Sequence, residues 1–290
     1  MKKLLVLVIV FLAFSATFLS AKDKSSVDNK KLNAVIKLSG VGDIAKSLPI
    51  QFKNGLAQKK EKLGEKAYNS MVKAIDKTLG NEKKVNRYMK KKFSKELNNK
   101  QLSKIIKSYK TPLFKKIKKL EQAAMDPDYQ QKLKTYVEGL GQTPPDPKRV
   151  ALIQDLERSA NVVETQVLMA VGLSKSLMMG MQDDLKAALK KSGKKAETHE
   201  EMSKEVDQIL LPLENQIRVQ LSKFTLITLL YTYNNLTDKE VKDYIGFLKS
   251  KEGQGMSKAM MATLKGLFNK TGKALGKGMS KTLIKKSGEK

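Results

Sequence analysis

Apolar residues return every three or four positions through most of the chain, as in Tyr68, Met71, Val72, Ile75 and Leu79 and again in Leu102, Ile105, Ile106 and Tyr109. That spacing lays one apolar stripe along an α-helix. No stretch shows the every-second-residue alternation of a half-buried strand, and long runs rich in Leu, Lys, Ala, Met and Gln favour helix over sheet. With no cysteine in 290 residues, disulfides and a lipid-modified N-terminal cysteine are both excluded, so the helices must hold together by packing. The expected fold is all-α.

Prolines and glycines punctuate the helical runs. Gly40-Val41-Gly42, Leu48-Pro49, Thr111-Pro112 and Asp126-Pro127 read as breaks, with glycine ending one helix and proline opening the next. Ser39-Gly40-Val41-Gly42 follows a helical pattern and reads as a C-cap and turn. The strongest break is Gly139-Leu140-Gly141-Gln142-Thr143-Pro144-Pro145-Asp146-Pro147, where three prolines in four residues cannot continue a helix. A domain boundary is expected there, with a first helical unit over 22–141 and a second over 142–264.

The N-terminus carries its own signal. Two lysines, Lys2 and Lys3, precede an uncharged run from Leu4 to Ala21 that ends at Lys22-Asp23-Lys24. This is the layout of a secretory leader, with small residues over Ser15–Ala21 for a peptidase groove. The expectation is a signal peptide over 1–21, cleaved after Ala21, and a periplasmic or secreted chain. Leu19 fits poorly three positions before that cut, so an uncleaved N-terminal membrane anchor is the alternative.

A formal net charge of +28 raises the question of nucleic acid. Residues 22–145 hold 30 Lys/Arg against 12 Asp/Glu, and 265–290 hold eight lysines against one glutamate, while 146–264 are close to neutral. Only Arg87, Arg149, Arg158 and Arg218 are arginine, the side chain whose planar fork reads guanine and grips phosphate in pairs of bonds. Lysine without arginine suits diffuse attraction to anions. Together with export, that disfavours nucleic acid as a partner.

The chain also resembles itself across the proline break. Leu97-Asn98-Asn99-Lys100-Gln101-Leu102-Ser103-Lys104-Ile105-Ile106 lies against Leu236-Thr237-Asp238-Lys239-Glu240-Val241-Lys242-Asp243-Tyr244-Ile245, with matching apolar positions and a matching polar start. Tyr109-Lys110-Thr111 then faces Leu248-Lys249-Ser250. Upstream, Leu32, Ala34, Val35, Leu38 and Ile44 correspond to Val150, Leu152, Ile153, Leu156 and Val162. The offset grows from 118 to 139 residues, which places an insertion in the second copy at Ser192–Thr198. The expected architecture is two tandem helical-bundle units of related topology.

Thr237 predicts a helix cap, with Glu240 as the reciprocal carboxylate and Asp238 at the positive end of the helix dipole. Gly253 and Gly255 predict a tight turn or a close helix contact. The run Leu236 to Val241, then Ile245, Phe247-Leu248-Lys249-Ser250 and Glu252-Gly253-Gln254-Gly255 resembles the closing helical pair of a bacterial exported family catalogued as domain of unknown function 2059. That family reads threonine, a polar pair, Glu-Leu, an aromatic-rich helix, then Ser-Pro, one residue, and Gly. Lys251 stands where the proline belongs; the first copy keeps Pro112 but has Phe114 where the glycine belongs. The resemblance covers about residues 205–262, implies an all-helical periplasmic fold, and brings no reaction or ligand with it.

Catalytic constellations are missing from the sequence. His199 is the single histidine, and Ser203 stands where a zinc-protease helix needs its second. No Gly-x-Ser-x-Gly elbow accompanies it. Asp183-Asp184 and Glu200-Glu201 are adjacent pairs that do not share a helix face, as glycoside hydrolysis would need. Gly272-Lys273 and Gly276-Lys277 lack the Ser/Thr and glycine spacing of a phosphate loop. The methionines Met169, Met178, Met179, Met181, Met256, Met260 and Met261 follow helical spacing and read as core filling before cuprous-ion ligands. Nothing calls for a cofactor or a metal.

The remaining feature is the C-terminal segment 265–290. Leu264, Leu267, Phe268, Leu275, Met279, Leu283 and Ile284 fall near one helical face, with Lys265, Lys270, Lys273, Lys277, Lys281, Lys285 and Lys286 over much of the rest. Such a helix lies on anionic lipid, or packs its apolar side on its own domain. Glycines at 266, 272, 276 and 278 weaken an isolated helix and favour the packed form. These seven lysines are the candidate contacts to an anionic surface. The expectation is a non-enzymatic exported protein that binds a partner protein or an anionic envelope surface, with a hydrolase of envelope polymers as the alternative.

Overall fold

The computed structural model describes residues 27–124, 126, 128–191 and 198–288, and among these residues there is helix and no strand. The helices are α1 (Asn29–Leu38), α2 (Ile44–Ala57), α3 (Lys60–Leu63), α4 (Glu65–Leu79), α5 (Glu82–Glu96), α6 (Asn99–Tyr109), α7 (Pro112–Ala123), α8 (Tyr129–Gly139), α9 (Pro147–Ala160), α10 (Val162–Lys191), α11 (His199–Thr232), α12 (Asp238–Lys249) and α13 (Lys251–Gly288). The fold is all-α as the periodicity requires. The leader expected over 1–21 and most of the polar stretch 192–198 lie outside the described residues.

Polar side chains set most of the helix starts. Asp28 accepts from the Lys30 amide at 2.8 Å to open α1. Thr111 caps α7 with Pro112 in the first turn, and Asp146 caps α9 with Pro147 in the same place. Two full capping boxes open the helices whose sequences match, Asn98 with Gln101 at α6 and Thr237 with Glu240 at α12. Each satisfies amides that a helix end otherwise leaves unpaired. Pro49 departs from expectation: it lies inside α2, which starts five residues earlier at Ile44. The helix there forgoes one backbone bond, since proline has no N–H.

The chain gathers into two compact units that do not follow the halves drawn at 141/142. One comprises Met1–Gly42, Tyr88–Gln166 and Arg218–Ala262; the other comprises Asp43–Arg87, Val167–Ile217 and Thr263–Lys290. The physical reason is visible in the first unit, where helices from the two halves pack on each other instead of closing separately. Phe114 of α7 sits edge-on to Tyr244 and Phe247 of α12, with centroids 5.6 and 4.7 Å away. Lys116 reaches Glu240 at 2.8 Å, and Gln101 donates to the Lys251 carbonyl at 3.1 Å. Arg149 of α9 donates to Asp238 and to the carbonyls of Tyr233 and Leu236, closing the end of α11. Gly253 lies so close to the Phe247 and Leu248 carbonyls that a β-carbon would collide with both, and one on Gly255 would stand 2.6 Å from Leu97.

The second unit contains α2, α3 and α4, with most of α10, the first half of α11 and the rest of α13. Its tightest feature is the approach of α13 to α10. A β-carbon on Gly276 would strike the Leu177 carbonyl, one on Gly180 would strike Lys273, and one on Gly272 would stand 2.6 Å from Ser176. Gly272 and Gly276 on one helix therefore meet Ser176 and Gly180 on the other, each pair four residues apart, and the backbones touch. Segment 265–288 is accordingly no separate tail. It continues α13 without interruption, and the glycines that weaken an isolated helix are the residues that let this one pack.

Two glycine substitutions should move stability in opposite directions. Gly276→Ala is expected to lower the thermal midpoint, losing about 1–3 kcal/mol through overpacking. Gly246→Ala, on the exposed side of α12 with nothing within 4 Å of the new methyl, is expected to raise it by up to ~1 kcal/mol.

Candidate functional site

Chemistry in the first unit concentrates on one carboxyl. Glu121 follows Phe114 and Ile117 on α7 at the spacing of a core stripe, and both of those residues are buried. Its side chain therefore enters an aromatic setting. Tyr233 donates to Glu121 Oε1 at 3.0 Å, and Tyr244 donates to the same oxygen at 3.3 Å. Tyr233 is fully buried and Tyr244 nearly so. Tyr109 stands on Phe114 at 4.9 Å and on Phe247 at 6.0 Å, completing the ring cluster.

Burial dominates the electrostatics here. Glu121 keeps a partly accessible flank, but its carboxyl is enclosed by protein, which raises its pKa to about 7 against the partial relief of the two phenol bonds and of Lys118. The rings respond in turn. Tyr233 and Tyr244 are pushed well above the ordinary phenol range, first by burial and then by the Glu121 charge. Beside this cluster Tyr129 exchanges a 2.7 Å hydrogen bond with Thr232, and Tyr231 stacks on Tyr129 and Tyr136. Two further carboxyls do structural work. Glu157 accepts from the Val163 amide across the left-handed Asn161 that joins α9 to α10, and burial raises it as well. Glu240, by contrast, is held low by Lys116.

The lysines singled out from the sequence belong to a different surface. Lys265, Lys270, Lys273 and Lys277 are exposed on α13, whereas the side chains of Lys281, Lys285 and Lys286 lie outside the described part. Lys270, Lys273 and Lys277 fall within one-sixth of a helical turn of one another at about 100° per residue, opposite the packed side. That side holds Leu264, Leu267, Phe268 and Leu275, all buried, so the apolar face is not offered to lipid. Phe268 instead meets Phe52 with ring centroids 5.2 Å apart.

The other sequence candidates disperse. His199 starts α11. Glu201 caps that start through Thr198 and Glu200 pairs with Lys204, while the side chains of Asp183 and Asp184 lie outside the described part. Met169, Met179, Met256 and Met260 are buried in the core. Among the described residues no group of three or more metal-ligating side chains forms. Sequence reasoning missed Glu121, although its signal was present: a glutamate at the third core position of an amphipathic helix. Comparison with family models, curated proteins and solved structures returned no match for this chain.

The Glu121 site predicts a pH dependence of stability. Its carboxyl binds a proton more tightly folded than unfolded, so its stabilising contribution is complete below the ordinary value of 4.5 and is lost as pH rises through about 7. Glu121→Gln keeps the shape and an acceptor but cannot ionise. In urea unfolding, the two chains should match near pH 4, below the ordinary value, and the glutamine variant should be the more stable above about pH 8.

Proposed function

We propose that this chain is a non-enzymatic helical protein, exported to the cell envelope, that attaches reversibly to anionic surfaces through lysine-bearing helix faces. The observation that carries the reading is the two-sidedness of α13. Its apolar and glycine side is occupied by α10 and Phe52, which leaves Lys270, Lys273 and Lys277 facing water. Attachment is then electrostatic and peripheral, without insertion of a greasy face.

The distribution of ion pairs supports the same reading. Asp76, Asp155, Asp207, Asp238, Glu240 and Glu252 each hold a Lys or Arg of their own unit at 2.5–2.9 Å, so these carboxylates are already paired. The excess of 57 basic over 29 acidic residues remains as surface lysine. α5 is typical, burying Val85, Met89 and Phe93 while Lys83, Lys84, Arg87, Lys91 and Lys95 stay exposed. The leader-like residues 1–21 and the resemblance of 236–255 to an exported family support placement outside the cytosol. In the segment that carries the resemblance, the capping box at Thr237 and the crowded glycine at 253 give its motif positions a structural purpose.

A hydrolase would need two carboxyls facing one cleft roughly 5–9 Å apart. Glu121 is the carboxyl with a suitable pKa, but the groups acting on it are tyrosines and a lysine, with no second carboxylate among them. The binding reading therefore stands ahead of the enzymatic one.

Co-sedimentation with phosphatidylglycerol-rich vesicles tests the proposal. Binding is expected at low salt and should fall steeply as salt rises, since exposed charges are screened over about 8–10 Å near physiological ionic strength. Replacing Lys270, Lys273 and Lys277 together by Gln should weaken it roughly a hundredfold, at about 1 kcal/mol per lysine. Binding that ignores both salt and the triple substitution would refute the proposal.

A further inference from the structure

Two bonds fix the register of α10 against α11 within the second unit. Lys175 holds Asp207 at 2.5 Å, and Gln182 donates to the Thr198 carbonyl at 3.4 Å. As α10 advances from Lys175 to Gln182, its partner on α11 retreats from Asp207 to Thr198, so the helices run antiparallel. Met178 and Met179 stand between the two bonds on α10, and Met202 stands between them on α11. The three share one cluster with Val206 and Leu210, in which Met179 is buried while Met178 and Met202 are partly so. Thr198 and Glu201 cap each other immediately before Met202, so its side chain leaves from a fixed first turn.

Core filling accounts for Met179, since methionine adapts to gaps between helices. Met178 and Met202 differ from it in being partly open, which gives the cluster an apolar floor of Val206 and Leu210 and a side that an ion can reach. Histidine and carboxylate side chains gather into no metal-binding group among the described residues; the donors here are thioethers. A chain with 13 methionines and no cysteine offers soft sulfur only in that form, and thioether sulfur selects cuprous ion. Charge favours the same choice. A divalent ion would need anionic ligands to offset the loss of its water, and Asp207, the carboxylate that bridges the two helices, is already held by Lys175.

We infer that Met178, Met179 and Met202 form a site for one soft monovalent cation, Cu(I), held by thioether sulfur. The site is separate from the lysine face of α13 and does not depend on the vesicle reading. Thioethers carry no proton to lose, so the affinity is independent of pH, unlike that of a histidine, thiolate or carboxylate site.

The test is an anaerobic titration of the full chain with Cu(I) against a coloured Cu(I) chelator. One ion per chain is expected, with sulfur as the neighbour in X-ray absorption and an affinity that stays constant between about pH 5 and pH 8. Met178→Leu with Met202→Leu keeps side-chain volume and helix propensity and should weaken binding at least a hundredfold, with circular dichroism confirming the fold. In the unaltered chain, Ag(I), which is equally soft and does not change oxidation state, should shift the methyl signals of Met178, Met179 and Met202 before those of the other methionines. Failure to compete with the chelator, binding unchanged in the double variant, or Ag(I) shifts confined to other methionines overturns the inference. So does an affinity that falls on acidification with nitrogen or oxygen as the neighbour, since the ion would then sit on histidine or carboxylate.

Discussion

The meeting of Gly272 and Gly276 with Ser176 and Gly180 is the contact on which the functional reading rests. Four small residues let the α13 and α10 backbones touch, and dispersion across that seam rewards every atom brought into range. The seam also fixes the direction of everything else on α13. Once the glycine side is turned inward, Leu264, Leu267, Phe268 and Leu275 must be buried, and Lys270, Lys273 and Lys277 must point away.

A comparable economy governs the other unit, where aromatic rings replace glycines. Phe114, Tyr244, Phe247 and Tyr109 interlock at the crossing of the two capped helix pairs. Each pair begins with a polar residue whose side chain folds back on the helix start, and Lys116–Glu240 ties one cap to the opposite pair. Glu121 brings a carboxyl into this aromatic setting. Its two phenol donors lessen the cost of burial without removing it, which is why its proton is retained to near neutrality. A cysteine-free chain thus stabilises one bundle by close backbone approach and the other by aromatic packing with a polar centre.

Much of the local structure was legible from residue order. Thr237 with Glu240, Thr111 with Pro112, and Gly253 act as their chemistry requires, because caps and crowded glycines depend on neighbours a few positions away. Pro49 misled, since proline removes one bond and a helix already secured by buried Ile44, Ala45 and Leu48 can tolerate that loss. The grouping of helices was hidden for a deeper reason. Residues 97–111 and 236–250 have similar sequences, but similarity says nothing of whether two pairs pack separately or against each other; that is settled by Phe114 finding Tyr244 and Phe247. The tail was more nearly legible, as a helix whose apolar side packs on its own domain, but the partner was hidden. Its glycines argue against a helix only while the partner that needs them, α10, is out of view.

Hydrogen exchange along α13 tests the central claim most directly. If the apolar and glycine side of residues 264–280 belongs to the fold, the amides there are strongly protected in solution, and adding phosphatidylglycerol vesicles leaves that protection unchanged. Rapid exchange of these amides in solution, with protection acquired only on vesicles, would mean that the helix is free to peel away and lie in lipid, contrary to the packing described.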